Sequence, residues 1–428
     1  MARVNPTRVV SDLGGASRAV VDAVAGITDV VENLHRNIAG LSPIIGTVPT
    51  TRTRGITGFV YRSIRDVTQT VGIGIDAILA QLPPLLSATG STPRRDAAVA
   101  ALNGVFGDYL DVSNNPLAIE MQLRVDGRAV RPSTSALAET FPNASEKLTV
   151  LVHGLCLNDL QWKRDGHNHG ETLTRELGHS CVYLHYNTGR RIVLNGREFA
   201  DTLESLIEAW PVPIRELAIV GHSMGGLVAR SACHYAVEAR HRWPRKLTKL
   251  ICIGTPHHGA RLERAGSWID MLLGVSPYSA PFARLGRARS AGIKDLRHGE
   301  IHDRNSARGE GATRSPTTRR DAASAVRSIK CYVIAGTTTA APSKPGKKLA
   351  GDGLVSVASA LGQHDDPTSS LHIPPSRQFI AHGTNHLDLL SSRDVSDRLC
   401  SWLSQRATRK PRLLDELSGE LKPRADTR

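Results

Sequence analysis

Six short, mostly apolar runs constrain this chain more than any other feature: residues 148–152, 181–184, 217–220, 250–253, 329–334 and 377–381. Each is too short for a buried helix and rich enough in Val, Ile and Leu for a strand covered on both faces. Helical spacing fills the intervals between them, as in residues 199–210 and 227–240. Such alternation predicts βαβ units, and hence a mostly parallel central sheet with helices on both faces.

One strand-to-helix junction carries chemistry. Gly221-His222-Ser223-Met224-Gly225 is a G-x-S-x-G sequence that follows the run 217–220 and leads into a helical stretch. A tight turn at that place lifts the serine into a strained, exposed position, and the glycines Gly221 and Gly225 leave room for the backbone. Ser223 is therefore the expected nucleophile. A hydroxyl needs a base to take its proton and a carboxylate to hold that base in the correct tautomer.

Chain order on such a sheet is serine, acid, histidine. After the last strand comes His382-Gly383-Thr384-Asn385-His386-Leu387-Asp388. His386 lies further into the loop and starts an apolar segment that anchors it, so it is the expected base, with His382 a neighbouring structural group. Asp352, between Gly351 and Gly353 in the loop after the fifth run, is the expected acid, with Asp365 and Asp366 as alternatives. A tetrahedral intermediate also needs backbone N–H donors. Met224 and Leu155 are the candidates, the latter in His153-Gly154-Leu155 after the first run, where Gly154 permits a close turn.

Taken with Gly254-Thr255-Pro256-His257-His258-Gly259, these five motifs resemble the α/β-hydrolase lipases. They are most similar to the bacterial triacylglycerol lipases and the deacylases of glycosylphosphatidylinositol inositol, over roughly residues 145–405. The resemblance implies an α/β-hydrolase fold and a Ser223-Asp352-His386 triad, with oxyanion donors at Leu155 and Met224. It implies cleavage of small-molecule or lipid acyl esters through an acyl-enzyme, without an organic cofactor. Thioesterase, amidase and acyltransferase chemistry remain open on the same triad, as does a non-catalytic lipid- or partner-binding role on the scaffold. The resemblance also makes Asp388 a weak calcium candidate, the alternative being a helix cap or loop acceptor.

At 428 residues the chain exceeds one easily filled core, which predicts a catalytic domain with additions. Residues 116–405 form that domain in this reading. Residues 1–115 are a helical region, with apolar stripes over 9–38 and 60–82 and a shorter one through Leu102, Val105, Phe106, Tyr109 and Leu110. That region is either a cover for the rest of the protein or a membrane-surface or partner contact. Residues 261–325 interrupt the alternation, as a lid or as a disordered stretch, and 406–428 are a basic tail.

The net charge of +14 is unevenly spread: residues 284–330 hold twelve Lys/Arg against five Asp/Glu. No aromatic residue is interleaved with that charge, which argues against a nucleic-acid partner. The six cysteines form no C-x-x-C pair, and neither a zinc site nor a disulfide framework is expected. With no apolar leader and no window of about 18 apolar residues, a cytoplasmic protein is expected, membrane-associated at most.

Overall fold

The computed structural model describes residues 93–259, 290–298, 301, 329–340 and 349–405. The stripes over 9–38 and 60–82, most of the 261–325 insertion and the tail 406–428 lie outside the described residues.

All six apolar runs are strands: β3 (Lys147–Val152), β6 (Ser180–His185), β7 (Glu216–His222), β8 (Leu247–Ile253), β9 (Cys331–Thr337) and β10 (Gln378–His382). They pair in parallel in the order β10-β9-β8-β7-β3-β6. Burial on both faces follows from the side-chain alternation of a strand. In β7, Leu217 and Ile219 join one apolar cluster while Ala218 and Val220 join another on the opposite face.

Two helices, α4 (Ile192–Ala209) and α5 (Met224–Glu238), cover the first face and bury Phe199, Leu203 and Leu227 there. The second face is covered by α3 (His169–Leu177) and α8 (Arg393–Ser404), through Leu173, Leu399 and Trp402. Their ends are written in the sequence. Asn168 caps α3 by accepting from the N–H groups of Gly170 and Glu171, and Gly178 ends it in the left-handed conformation. Ser392 caps α8.

The stripe through Leu102 to Leu110 forms α1 (Pro93–Val112), and its apolar side packs into the same cluster as α4 and α5. Residues 113–146 carry none of the six apolar runs and none of the helical stripes. They instead hold a helix, α2 (Thr134–Thr140), and an antiparallel edge, β1 (Gln122–Val125) and β2 (Arg128–Val130), that extends the sheet to eight strands. Asp126 and Gly127 turn that hairpin with φ of 49° and 75°, which an Asp-Gly pair readily adopts. Arg124 of β1 reaches Asp159 at 3.3 Å, and Asp159 in turn sits 3.1 Å from His185 Nδ1, locking the edge to β6.

All six cysteines are free, four of them buried. No helix among the described residues is long and apolar enough to cross a membrane.

Candidate active site

Parallel strands send all their following loops to one edge of the sheet, where ligands of open α/β folds bind. Five such connections converge here: 153–157 after β3, the Ser223 turn after β7, 254–259 after β8, the described residues 338–340 and 349–356 after β9, and 383–390 after β10.

Ser223 stands between β7 and α5 with φ 54° and ψ −124°, a conformation that side-chain-bearing residues rarely adopt. The strain is held by its neighbours: its N–H donates to Ile253 O at 2.8 Å and its carbonyl accepts from Gly226 N–H at 3.1 Å. Met224 opens α5, so its N–H has no acceptor within the helix. Gly225 has no room for a side chain, since a Cβ there would lie 2.3 Å from Val152 O and 2.5 Å from His153 O. Gly221 packs as closely against the backbone of Gly226. Gly225→Ala is therefore expected to force α5 off β3 and to destabilise the protein by roughly 2–3 kcal/mol, read as a lowered urea midpoint in equilibrium unfolding.

The loop after β3 lies against Ser223. A Cβ on Gly154 would sit 2.9 Å from that of Ser223. Leu155 is buried beside it, and Cys156 takes φ 59°. Two residues beyond β6 pin this loop: Tyr186 donates its hydroxyl to His153 O at 2.8 Å, and Thr188 Oγ1 accepts from Cys156 N–H at 3.2 Å. His153 stacks on Tyr186 with ring centroids 4.5 Å apart, and burial lowers its pKa to about 3, so the ring is neutral. Nothing in the spacing of the sequence marked Tyr186 or Thr188. Both matter only because β6 lies beside β3.

Asp352 and His386 meet twice. His386 N–H donates to Asp352 O at 2.9 Å, and His386 Nδ1 to Asp352 Oδ2 at 2.7 Å. The other carboxylate oxygen accepts from the N–H groups of Leu354 and Val355 at 2.9 and 2.7 Å. Burial pushes the Asp352 carboxyl up, but the His386 charge, its hydrogen bond and these two N–H groups outweigh burial and hold it below the ordinary carboxylate value. A bond from Nδ1 to a carboxylate leaves Nε2 of His386 as the nitrogen able to accept a proton, and that atom is buried with no hydrogen-bond partner. Gly254 lies over the pair: with φ of 58°, its Cβ would fall 3.2 Å from His386 Cε1 and 3.3 Å from Asp352 Oδ2.

Of the alternatives, Asp365 and Asp366 are exposed, and Asp366 accepts from the Ser369 hydroxyl. His382 ends β10 and is half-buried. Asp388 faces a cation already on the chain, with Arg164 Nη2 3.3 Å from its Oδ1. Among the described residues no group of three or more His, Cys, Asp or Glu is assembled for a metal. Arg164 belongs to a small hairpin, β4 (Lys163–Arg164) and β5 (His167–Asn168), and two further bonds, one from its turn and one from the first residue of α3, hold the chain after His386. Ser391 donates to Asp165 Oδ2 at 3.2 Å, and His169 Nε2 donates to Leu389 O at 2.9 Å.

Residues 146–285, 140 of the 428, match the family described as PGAP1-like alpha/beta domain. No curated protein matches the chain. Similar solved structures include the mature form of the Bacillus licheniformis lipase BlEst2, 16% identical, covering 66% of this chain and 97% of that one with a TM-score of 0.39. An esterase from Thermogutta terrifontis is 16% identical over 62% of this chain and 92% of that one, with a TM-score of 0.34. The Pyrococcus furiosus esterase Pf2001 is 14% identical over 62% and 84%, with a TM-score of 0.37. The sheet order and the strand–serine–helix turn make this a chain of the α/β-hydrolase fold, and its residues 146–285 are similar to the PGAP1-like alpha/beta domain.

Proposed function

We propose that the chain is a serine hydrolase of the lipase and carboxylesterase type. The observation that carries this reading is the state of His386: Asp352 holds one ring nitrogen at 2.7 Å, while the other is buried and unpartnered, on a ring whose centroid is 4.8 Å from that of His222, the residue before Ser223. That is the arrangement a general base requires.

In the reaction, Ser223 Oγ attacks the acyl carbonyl as its proton passes to His386 Nε2. The imidazolium is stabilised by Asp352, and the carbonyl oxygen becomes an oxyanion facing the N–H groups of Leu155 and Met224. Collapse of the intermediate breaks the bond to the alcohol, which leaves with the proton from His386. Water then repeats the sequence on the acyl-enzyme, releasing the carboxylic acid and restoring Ser223. Each oxyanion donor contributes about 3 kcal/mol in such sites.

A fluorophosphonate probe, which needs an activated serine, tests the reading directly. Wild type is expected to label at Ser223 and to hydrolyse p-nitrophenyl esters. A panel of short and long esters, acyl-thioesters and phospholipids ranks the substrate classes. Folded protein that neither labels nor turns over any of them would leave the scaffold with a binding role.

A further inference from the structure

We propose that His222 is a positioning residue, whose side chain ties the turn carrying Ser223 to the loop carrying His386 and so sets the register between nucleophile and base. The proposal rests on the ester-hydrolase reading above and adds to it a residue outside the triad.

His222 is the last residue of β7 and is fully buried. Its Nε2 lies 3.0 Å from His386 O. A carbonyl oxygen can only accept, so Nε2 carries the proton and Nδ1 is bare. Burial first, and the neighbouring imidazole second, lower the pKa of His222 to about 3. The ring is thus neutral and does not oppose the positive charge that forms on His386. Its centroid is 4.8 Å from that of His386, with Trp162 placed edge-on at 6.4 Å. Nδ1 faces the loop after β3, 3.2 Å from where a Gly154 Cβ would be. One ring therefore touches the nucleophile turn, the oxyanion loop and the base loop.

Without this bond, the hydrogen bonds of His386 itself would all go to Asp352, one to its backbone and one to its side chain. Contacts from one residue leave a hinge. The His222 bond fixes the opposite side of the His386 backbone, so that Nε2 is aimed from two directions. A purely packing role fits poorly, because the buried Nδ1 has no hydrogen-bond partner. An apolar side chain of similar size would spare that cost.

The test uses three variants of the full chain. In His222→Gln the side-chain amide places an N–H where Nε2–H stood. In His222→Asn the amide is too short to reach, and His222→Leu has no donor. Asn and Leu are expected to lower kcat on a p-nitrophenyl ester about 10- to 100-fold with KM within about twofold, since small misplacement of a reacting group costs on that order. They should also displace the acidic limb of the kcat/KM profile, while Gln restores most of kcat. Proton NMR of the His386 Nδ1–H bonded to Asp352 reads the same geometry independently of turnover: a sharp downfield signal in wild type and Gln, a broadened one in Asn. Equal kcat and equal spectra for Gln and Asn, both in folded protein, would overturn the proposal. Wild type that fails to label at Ser223 yet shows the NMR difference would overturn the hydrolase reading and keep the positioning role.

Discussion

Ser223→Ala is expected to abolish ester hydrolysis, lowering kcat by about 10⁴- to 10⁶-fold, while the protein unfolds at nearly the same temperature as wild type. The two parts of this expectation have separate causes. Catalysis goes because the hydroxyl is the attacking group of the proposed reaction. Stability stays because the turn is held by backbone bonds, from Ser223 N–H to Ile253 O and from Gly226 N–H to Ser223 O. Alanine keeps both. Rate assays on a p-nitrophenyl ester beside a thermal melt measure the pair, and activity of the variant within tenfold of wild type would sink the assignment of the nucleophile.

Asp352→Asn is expected to lower kcat about 10⁴-fold for a subtler reason. The buried carboxylate can only accept from His386 Nδ1, which forces the proton onto that nitrogen. An amide NH₂ in the same place would favour the opposite tautomer, with the proton on Nε2, where the serine proton must go. Stability should change with pH as well. Because the folded Asp352 carboxyl is held below its ordinary value, the stabilisation is complete above about pH 4. It is lost as pH falls from there through the lowered folded value. The Asn variant lacks this component, so its unfolding temperature should fall less steeply with acid over that window. Melts of the two proteins from pH 5 to pH 2.5 compare them.

The sheet was the most legible part of the sequence, because a strand buried on both faces leaves an unbroken apolar run and a helix leaves a period of three to four. The run 217–220 before Gly221 shows this most plainly. The β1–β2 edge escaped notice: three- and four-residue strands with one half-exposed face carry little hydrophobic signal. Its one clear mark was Asp126-Gly127 between Leu123 and Val130.

Of the site, residues fixed by motif and chain order came directly from the sequence. Asp352 and His386 were expected together, and the structure brings them to 2.7 Å. Residues that act across strands did not come through. Tyr186 and Thr188 support a loop more than thirty positions earlier, and His222 stood in the motif only as its unspecified second residue. Their meaning depends on which strands are neighbours, which local spacing does not record.

The division of the site along the chain has a consequence in time. The turn of Ser223 and the loop of Leu155 are built from residues 147–259, on the adjoining strands β3, β7 and β8. Acid and base come later: from residue 259 to His386 is 386 − 259 = 127 residues. At about 5 to 20 residues per second of synthesis, the turn of Ser223 and its neighbouring loops precede His386 by roughly 6 to 25 s. In the proposed reaction a nascent chain thus carries the serine before the acid and base that would activate it, and the chemistry waits for the arrival of the last strand.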